Sequence, residues 1–430
     1  MRIKTDRPQV SVVVVNMDGR HHLAPCLKSL DKVDYPADRM EVILVDNGSV
    51  DGSVLFVQHN HPGVKVIQND HNEGFARANN QGARAANGEY VVFLNNDMRV
   101  HPAWLNELAA AARSARDVAA VGGRILSWDG NAVDFAGAAL NFYGMGFQPH
   151  DDPPGEDQLS EILFGCGGSL LVDRQVFMEV GGFDPDYFAY FEDVDLGWRL
   201  WLLGHRVLYA PAALTYHRGH GTSSRMPTAQ VAVLYERNAL YTIIKNYSEA
   251  NLQRVLPAAL LLLIRRAAIF GRLDKRGFRM VGSVASGPNP IGPTDESLPS
   301  QPRMSLRQAM QRFAQFTRDS GLYAATLEAI RLVLVMGHQK LGRLLRSEAS
   351  LVPRQALAHL VAADDVIDAL PSLMKKRADI QSRRKRSDAE ILGLFNAPFH
   401  PHPPFKEYIP VQEMLTQLFG IDKMFQEPPT

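Results

Sequence analysis

Cysteine is nearly absent from the sequence, and this scarcity excludes two kinds of protein. The 430 residues include only Cys26 and Cys166, which lie far apart in the chain. Neither a disulfide framework nor a cysteine-based zinc site is therefore indicated. A reducing compartment, the cytoplasm, is expected.

The sequence also lacks a long apolar run of the kind that crosses a membrane. Its most apolar stretch, VLPAALLLLIRRAAIF, is interrupted by Arg265 and Arg266, well short of the ~20 residues that a spanning helix needs. A buried helix is favoured over a helix that lies in the membrane interface. The N-terminus, MRIKTDRPQVSVVVV, has no signal-length apolar segment before a cleavage site.

No charge of one sign prevails over the whole chain, but the two halves differ. Residues 1–230 contain 19 Lys and Arg against 28 Asp and Glu, a net charge of −9, and the remainder carries +9. An acidic first half suits a metal or polar-substrate site, and a basic second half suits an anionic membrane surface. Solvated charge without a partner is the alternative interpretation.

What the sequence does contain is an alternation of strand and helix patterns over its first 220 residues. The segments VSVVVV, EVILV, VKVI and EYVVFL predict four strands with helical patterns between them. This alternation is typical of an α/β fold with an open, mostly parallel sheet flanked by helices. The stretch between Gly122 and Glu161 is predicted to be loop-like, and HRVLYAP to be the last strand.

The pattern changes after about Met226 to long helical segments without strand alternation. Because the chain is long enough for two domains, we predict one over 1–225 and a mainly helical C-terminal region over 226–430. A Pro/Gly/Ser-rich loop is expected near 283–303. An irregular tail is expected from about 396, where the prolines of NAPFHPHPPF lack the N–H donor of regular structure.

Polar side chains follow each of the four predicted strands. They are Asn16 and Asp18 after the first strand, Asp46 after the second, Asn69 after the third, and Asn95 and Asp97 after the fourth. Each alone could be explained by turn chemistry. Together they indicate a ligand site, because ligands of open α/β sheets bind beyond the carboxyl ends of the strands.

Three carboxylates, Glu192, Asp193 and Asp195, are concentrated at the start of a predicted amphipathic helix. Exposed N–H groups and the helix dipole favour an ionised carboxylate at this end of a helix. Asp193 is therefore predicted to be ionised at neutral pH, without a raised pKa. Helix capping is the alternative explanation for the acids.

Six motifs resemble the inverting family-2 glycosyltransferases, in the order that the family has them. They are VVVVNMDGR…LAPCLKSL, EVILVDNGSVDGS, NEGFARANNQG, VVFLNNDM, GCGGSLLVDRQVFMEVGGFDPDYFAYFEDVDLGWRL and TYHRGHG, and they cover about residues 9–222. The sequence is most similar to the branch that contains bacterial rhamnosyltransferases of cell-surface polysaccharides. The resemblance implies that residues 1–225 form a nucleotide-sugar-binding catalytic domain with the Rossmann-like GT-A fold.

The resemblance also implies which residues bind the donor nucleotide. Asp46 would accept a hydrogen bond from the pyrimidine base, and Val15 and Asn16 would line the nucleotide pocket. Asn79 lies where the family often has a polar or basic residue near the nucleotide.

A metal site is implied by the same resemblance. Asn95, Asn96 and Asp97 occupy the place of the family's Asp-x-Asp motif, but with Asn first. Asp97 would therefore be the carboxylate ligand of the metal, with Asn95 left to contact ribose or a phosphate-bound water. His217 matches the family's imidazole ligand, with a structural histidine as the alternative, and His220 has no firm match. Mg²⁺ or Mn²⁺ would stabilise the leaving nucleotide diphosphate, and an imidazole ligand shifts the preference toward Mn²⁺.

Catalysis is expected from the Glu192-Asp193 pair, which matches the family's Glu-Asp motif. Asp193 would be the general base that removes the proton of the acceptor hydroxyl. Glu192 would contact the acceptor or cap the helix, and Asp195 would support the structure.

The sequence therefore predicts a metal-dependent inverting transfer of a sugar, rhamnose or similar, from a UDP- or dTDP-sugar. The acceptor would be a hydroxyl of a glycan or a lipid-linked glycan. The basic second half would contact the cytoplasmic membrane face or form a homo-oligomer, and no nucleic acid is expected. There are two alternatives. One is a nucleotidyltransferase of similar fold, but the segment NMDGRHH does not resemble the phosphate loop of such enzymes. The other is an inactive sugar- or membrane-binding relative.

Overall fold

A computed structural model of the chain describes residues 7–137, 139–148, 158–219, 226–272, 353–402 and 404–426. Residues 1–272 and 354–430 form one compact unit. The first 225 residues and the described helices that follow them therefore belong to the same unit. The predicted loop near 283–303 and His220 lie outside the described residues.

Twelve strands are present in the described part of the chain. They are β1 (Val10–Asn16), β2 (Met40–Asp46), β3 (Lys65–Gln68), β4 (Tyr90–Asn95), β5 (Met98–Val100), β6 (Val118–Ser127), β7 (Val133–Phe135), β8 (Ala139–Leu140), β9 (Gly146–Phe147), β10 (Ser160–Glu161), β11 (Ser169–Asp173) and β12 (Arg206–His217). Ten of them form one sheet, whose main order is β10-β12-β6-β11-β4-β1-β2-β3. The strands β4-β1-β2-β3 pair in parallel, and β11 runs antiparallel to both of its neighbours.

The helices of the same part lie on both faces of the sheet and in the C-terminal region. They are α1 (Arg20–Leu30), α2 (Ser53–Asn60), α3 (Gly74–Ala85), α4 (Trp104–Ala112), α5 (Arg174–Glu179), α6 (Glu192–Leu202), α7 (Thr228–Asn246), α8 (Glu249–Phe270), α9 (Arg354–Ser382), α10 (Ala389–Leu392), α11 (Ile409–Leu418) and α12 (Ile421–Met424). The expected fold class is therefore confirmed: a mixed, largely parallel sheet flanked by helices and followed by a helical region.

The apolar residues of β1 alternate between two cores because successive side chains of a strand point to opposite faces. Val12 and Val14 belong to the core that α1 and α4 cover. Val13 belongs to the core that α3, α6, α7 and α8 cover. Burial of the strand on both faces explains its continuous apolar sequence.

The prediction that residues 122–161 are loop-like is wrong at the start of this stretch. Residues 118–127 form β6, which is buried between β11 and β12. Its sequence, VAAVGGRILS, is rich in small residues with weak strand propensity, and pairing on both sides overrides that propensity. The irregular tail predicted from about 396 also needs correction, because α11 and α12 follow the proline-rich segment.

The stretch VLPAALLLLIRRAAIF lies within α8, and part of it is buried. Leu262, Leu263 and Arg266 are buried, whereas Leu261 and Ile264 are exposed. The guanidinium group of Arg266 pairs with the carboxylate of Glu236 in α7. Within the described residues, no helix is long and apolar enough to span a membrane.

Candidate active site

A cavity of about 670 Å³ opens where the carboxyl ends of β1 and β4 approach the start of α6. This volume is typical of a site for a small molecule. Eight of the candidate site residues named from the sequence lie in its wall: Val15, Asp18, Asn95, Asn96, Asp97, Glu192, Asp193 and His217. The cavity therefore brings the predicted metal ligands and the predicted base together.

Asn16 and Asp46 belong to a buried network one hydrogen bond away from this wall. The Asn96 amide donates to Oδ1 of Asn16 at 2.7 Å, and the Asn16 amide donates to Oδ1 of Asp46 at 3.0 Å. The hydroxyl of Ser49 donates to the same Asp46 oxygen at 2.6 Å. The cavity wall that the structure describes does not include Asp46.

Asn79 also lies away from the described cavity wall. It is buried in α3, and its side-chain amide donates to the carbonyl of Phe75 one turn earlier in the same helix, at 3.0 Å. In this arrangement the amide nitrogen of Asn79 forms a hydrogen bond within α3.

Strand pairing brings Asp97 and His217 together across 120 residues of sequence. The antiparallel register of β5 and β12 places His217 opposite Met98, next to Asp97. Nε2 of His217 lies 3.2 Å from Oδ2 of Asp97, and its Nδ1 lies 2.6 Å from Oδ2 of Asp134. The sequence does not predict a role for Asp134, because this residue lies in the stretch that is predicted to be loop-like.

Neighbouring charges and hydrogen bonds determine the pKa values of Asp97 and His217. Burial raises the pKa of Asp97, but the hydrogen bond and charge of His217 outweigh it, and the pKa is lowered. Burial lowers the pKa of His217, but hydrogen bonds and charges of Asp134 and Asp97 outweigh it and raise the pKa to about 9. Asp97 is therefore ionised, as a metal ligand must be.

Asp97 and His217 fit a hard divalent cation as a partial ligand set. They offer a carboxylate oxygen and a ring nitrogen 3.2 Å apart, about the separation of two adjacent ligands bound at 2.0–2.1 Å. Among the described residues, no group of three or more His, Cys, Asp or Glu is arranged to hold a metal ion. Substrate phosphates and water would supply the remaining ligands, as is common for Mg²⁺.

Asp193 is held by two main-chain N–H groups at the start of α6. Its Oδ2 accepts a hydrogen bond from the N–H of Gly167 at 2.8 Å, and its Oδ1 accepts one from Val194 at 2.8 Å. Gly168 follows directly, and a Cβ there would lie 2.7 Å from Nδ2 of Asn95. The GCGG segment therefore joins the end of β4 to the carboxylate, and only glycine allows this close approach.

Glu192 lies beside Asp193, but its Oε2 is buried without a hydrogen-bond partner among the described residues. Burial, together with the negative charge of Asp193, raises the pKa of Glu192 well above its usual range. Glu192 therefore binds a proton more readily than an ordinary glutamate, and its protonated carboxyl group would be a hydrogen-bond donor in the cavity wall.

The pKa predicted for Asp193 was wrong in direction. Burial raises it, and the N–H groups of Gly167 and Val194 only partly oppose that shift. The helix start was correctly recognised, since Asp193 is the second residue of α6. What the sequence did not reveal is how far protein groups desolvate the carboxylate, and this effect raises its pKa despite the helix start.

Asp195 points away from the cavity into a buried ion network. Its carboxylate lies 2.8 Å from the guanidinium group of Arg199 and 2.8 Å from Nζ of Lys245 in α7. Nζ of Lys245 is also 2.7 Å from Asp184. These contacts agree with the expected supporting role of Asp195 and tie α6 to the helical region.

Four aromatic side chains form a wall of the cavity that the sequence did not predict. This aromatic wall consists of Phe188, Tyr190, Phe191 and Tyr235. The first three belong to the segment FAYF directly before the carboxylates, and Tyr235 comes from α7. The run of aromatic residues next to Glu192 was the available signal, whereas nothing in the sequence pointed to Tyr235.

Comparison with known proteins gives one matching family and several relatives. The family model described as "Glycosyl transferase family 2" matches residues 11–181. The O-antigen biosynthesis protein RfbC of Myxococcus xanthus is 32% identical over 235 residues, which is 52% of this chain and 18% of that protein. The N-acetylglucosaminyl-diphospho-decaprenol L-rhamnosyltransferase of Mycobacterium tuberculosis is 30% identical over 257 residues, 54% of this chain and 82% of that protein.

Solved structures give weaker similarity. GalNAc-T7 with UDP, GalNAc and Mn²⁺ matches with a TM-score of 0.49 and 19% identity, over 59% of this chain and 51% of that chain. A mannosyltransferase of Pyrobaculum calidifontis in complex with GDP-Man and Mn²⁺ matches with a TM-score of 0.45 and 17% identity, over 84% and 88% of the two chains.

Proposed function

The chain belongs to glycosyl transferase family 2, and on that premise we propose that it transfers a sugar from a UDP- or dTDP-sugar donor with inversion at the anomeric carbon. The sugar is rhamnose or a similar hexose, and the acceptor is a hydroxyl of a glycan or lipid-linked glycan of the cell surface. The names of the relatives, an O-antigen biosynthesis protein and a rhamnosyltransferase that acts on a diphospho-decaprenol lipid, support this choice of substrates.

One observation carries the proposal: Asp97, His217 and Asp193 lie in the wall of the same cavity. Transfer from a nucleotide sugar needs stabilisation of the departing diphosphate and removal of a proton from the attacking hydroxyl. Asp97 and His217 suit the first task and Asp193 suits the second. The cavity is large enough to hold both reacting groups.

In the proposed reaction Asp193 accepts the proton of the acceptor hydroxyl as that oxygen attacks the anomeric carbon. The new bond forms on the face of the sugar opposite the diphosphate, and the bond to the diphosphate breaks. The N–H groups of Gly167 and Val194 keep the carboxylate of Asp193 in place. When protonated, Glu192 would donate a hydrogen bond to a hydroxyl of the acceptor, which would satisfy its Oε2.

Asp97 and His217 would hold Mg²⁺ or Mn²⁺, which when bound neutralises negative charge on the departing nucleotide diphosphate. Asp134 would keep Nδ1 of His217 protonated, as carboxylate partners of metal-bound histidines do. The ion would have to displace the proton of Nε2, since the raised pKa keeps His217 protonated in the absence of a metal. Val15, Asn95 and Asn96 would contact the nucleotide from the strand ends. Asn16 and Asp46 would support that contact through the hydrogen bonds of Asn96.

A thermal-shift panel tests the function. Nucleotide sugars and free nucleotides are added with Mn²⁺ or with a chelator, and we expect one UDP- or dTDP-sugar to raise the melting temperature only when Mn²⁺ is present, because a bound ligand stabilises the native state. The His217→Ala variant should lose that shift, whereas His101→Ala, in a histidine outside the cavity, should keep it. Transfer that persists undiminished in chelator would contradict the metal site, and lack of any response to nucleotide sugars would contradict the function.

A further inference from the structure

The loop that leads into α6 has a strained backbone. Phe188, Tyr190 and Phe191 have φ angles of 63°, 69° and 64°, in the left-handed region that residues with a side chain rarely adopt. Such conformations persist only where surrounding contacts hold the backbone in place. They occur here in the cavity wall, directly before Glu192 and Asp193.

One buried amide, the side chain of Asn238 in α7, holds three main-chain carbonyls of this loop. Its Nδ2 lies 3.0 Å from the oxygen of Tyr187, 2.9 Å from that of Ala189 and 2.8 Å from that of Tyr190. Oδ1 of Asn238 accepts a hydrogen bond from Nε of Arg237 at 3.0 Å, which fixes the amide nitrogen toward the loop. Asn238 is fully buried, so water cannot replace these bonds.

The same loop is fixed from the opposite side by the start of α3. The carbonyl of Phe188 accepts hydrogen bonds from the N–H groups of Phe75 at 2.6 Å and Ala76 at 3.2 Å. Gly74 permits this contact, because a Cβ there would lie 2.6 Å from the ring of Phe188. The loop is therefore held between α3 and α7, and Asp193 follows it by two residues.

We propose that Asn238 is a positioning residue for the reaction: it holds the loop of residues 187–191 in the conformation that places Asp193 and the aromatic wall toward the acceptor. The role of Asp193 as the base rests on the proposed function, but the hydrogen bonds of Asn238 to the loop do not. Without the three bonds, the strained residues would relax toward ordinary backbone angles and the start of α6 would shift.

The test compares Asn238→Leu, which keeps the side-chain volume and removes the donors, with the control Gln381→Met. The amide of Gln381 also donates to two carbonyls of α7, those of Lys245 at 2.9 Å and Asn246 at 3.3 Å, away from the loop. Hydrogen–deuterium exchange of a peptide covering residues 186–195 should accelerate at least tenfold in Asn238→Leu only. Its kcat should fall at least tenfold, while UDP affinity stays within twofold of wild type, because in the proposed function the nucleotide binds at the strand ends and the loop faces the acceptor.

A second variant keeps the proposal falsifiable if Asn238→Leu does not fold. Arg237→Met removes two further bonds to the loop, to the carbonyls of Asp186 at 3.1 Å and Tyr187 at 3.2 Å, together with the bond that orients Asn238. It should accelerate exchange of the same peptide to a smaller extent. Wild-type exchange in whichever of these variants folds, or wild-type kcat in a folded Asn238→Leu, would overturn the proposal.

The exchange measurement also separates this inference from the proposed function. If the wild-type protein transferred no sugar from any nucleotide sugar, the proposed function would fail. Accelerated exchange in Asn238→Leu would then still support the holding of the loop by Asn238.

Discussion

Glu192 and Asp193 are adjacent, but Glu192 is buried whereas Asp193 is partly exposed, and their hydrogen bonds differ. Asp193 receives two main-chain N–H bonds, whereas Oε2 of Glu192 receives none from the described residues. Hydrogen bonds of this kind stabilise the charged form of a carboxylate. The first proton taken up by the pair therefore goes to Glu192, and Asp193 remains the group that can act as a base.

Exchange of each carboxyl for an amide should separate the two roles. Asp193→Asn removes the base and should lower kcat by about 10²–10⁴-fold, the usual contribution of general base catalysis. Glu192→Gln replaces a carboxyl group of raised pKa by an uncharged amide that can donate a hydrogen bond, and we expect a loss of less than about tenfold. Steady-state transfer assays, with UDP affinity as a check on folding, compare the variants. Equal losses in both would contradict the assignment.

The pH dependence of transfer should reflect the raised pKa of Asp193. The base is active only when ionised, so kcat should fall as the pH decreases through that pKa, which lies above the ordinary value of 3.8 for an aspartate. Because Glu192 takes up a proton before Asp193 does, Glu192→Gln should move the acidic limb of the profile only slightly. An acidic limb at the position of an ordinary aspartate, measured at saturating substrate, would mean that the base is not buried or is another group.

At the scale of single residues, the sequence predicts which side chains meet in the cavity better than it predicts their pKa shifts and hydrogen bonds. Asp97, Asp193 and His217 were found because their order and type match a motif. The direction of the pKa of Asp193 could not be found, since it depends on burial by Gly167 and by the aromatic residues that precede α6. The hydrogen bonds that enclose Asp46 depend likewise on the packing of Asn16 and Ser49.

Among the elements, α6, α7 and α9 are joined by buried charges. Lys245 of α7 contacts Asp195 of α6 and Asp184, and Lys376 of α9 contacts the other oxygen of Asp184 at 2.6 Å. Burial raises the pKa of Asp184, but the charges of both lysines outweigh it and lower the pKa. The pKa of Asp195 is lowered too, because Arg199 and Lys245 outweigh its burial.

Removal of one member of this network should be costly. Lys245→Met removes one cationic partner from each of two buried carboxylates, Asp184 and Asp195, and we expect a loss of about 3–5 kcal/mol in the free energy of unfolding. Arg77→Met, which breaks an exposed pair with Glu73, should cost about 0–1 kcal/mol. Urea unfolding measures both. Similar small losses in the two variants would contradict a stabilising role for the network.

The difference in the free energy of unfolding between wild type and Lys245→Met should depend on pH. Carboxylates with a lowered native pKa contribute stability above their unfolded pKa, about 3.9 for aspartate, and lose it as the pH falls through the native value. The difference between wild type and Lys245→Met should therefore be full at neutral pH and shrink below about pH 4. A difference that grows on acidification would show that other groups dominate.

The elements that the sequence predicted well are those with a continuous apolar pattern. β1, β2 and β4 end where Asn16, Asp46 and Asn95 were expected to end them. β6 was missed because its small residues give little local signal and its partners β11 and β12 are distant in sequence. The contribution of α7 to the cavity could not be predicted either, since Tyr235 and Asn238 belong to a generic helical pattern.

On the scale of the whole molecule, the opposite charges of the two halves suggest a surface partner. We expect the purified protein to bind anionic vesicles at low salt, to bind neutral vesicles much less, and to dissociate as salt shortens the Debye length to about 3 Å at 1 M. The triple variant Lys375→Glu, Arg383→Glu and Lys385→Glu reverses exposed charges of the basic half and should weaken binding. The control variant makes the same change in the acidic half: Lys28→Glu, Lys32→Glu and Arg116→Glu. Equal binding of both variants, measured by cosedimentation, would contradict a membrane-facing basic half.

The placement of Tyr235 and Asn238 on α7 has a consequence for how the protein is made. A ribosome releases the strand ends first, then Asp193, then His217, and α7 last among the parts that form the cavity. A nascent chain that has emerged only as far as α6 lacks both the imidazole and the amide that holds the loop. Sugar transfer should therefore begin only after α7 has been synthesised, which keeps shorter unfinished chains from consuming nucleotide sugar.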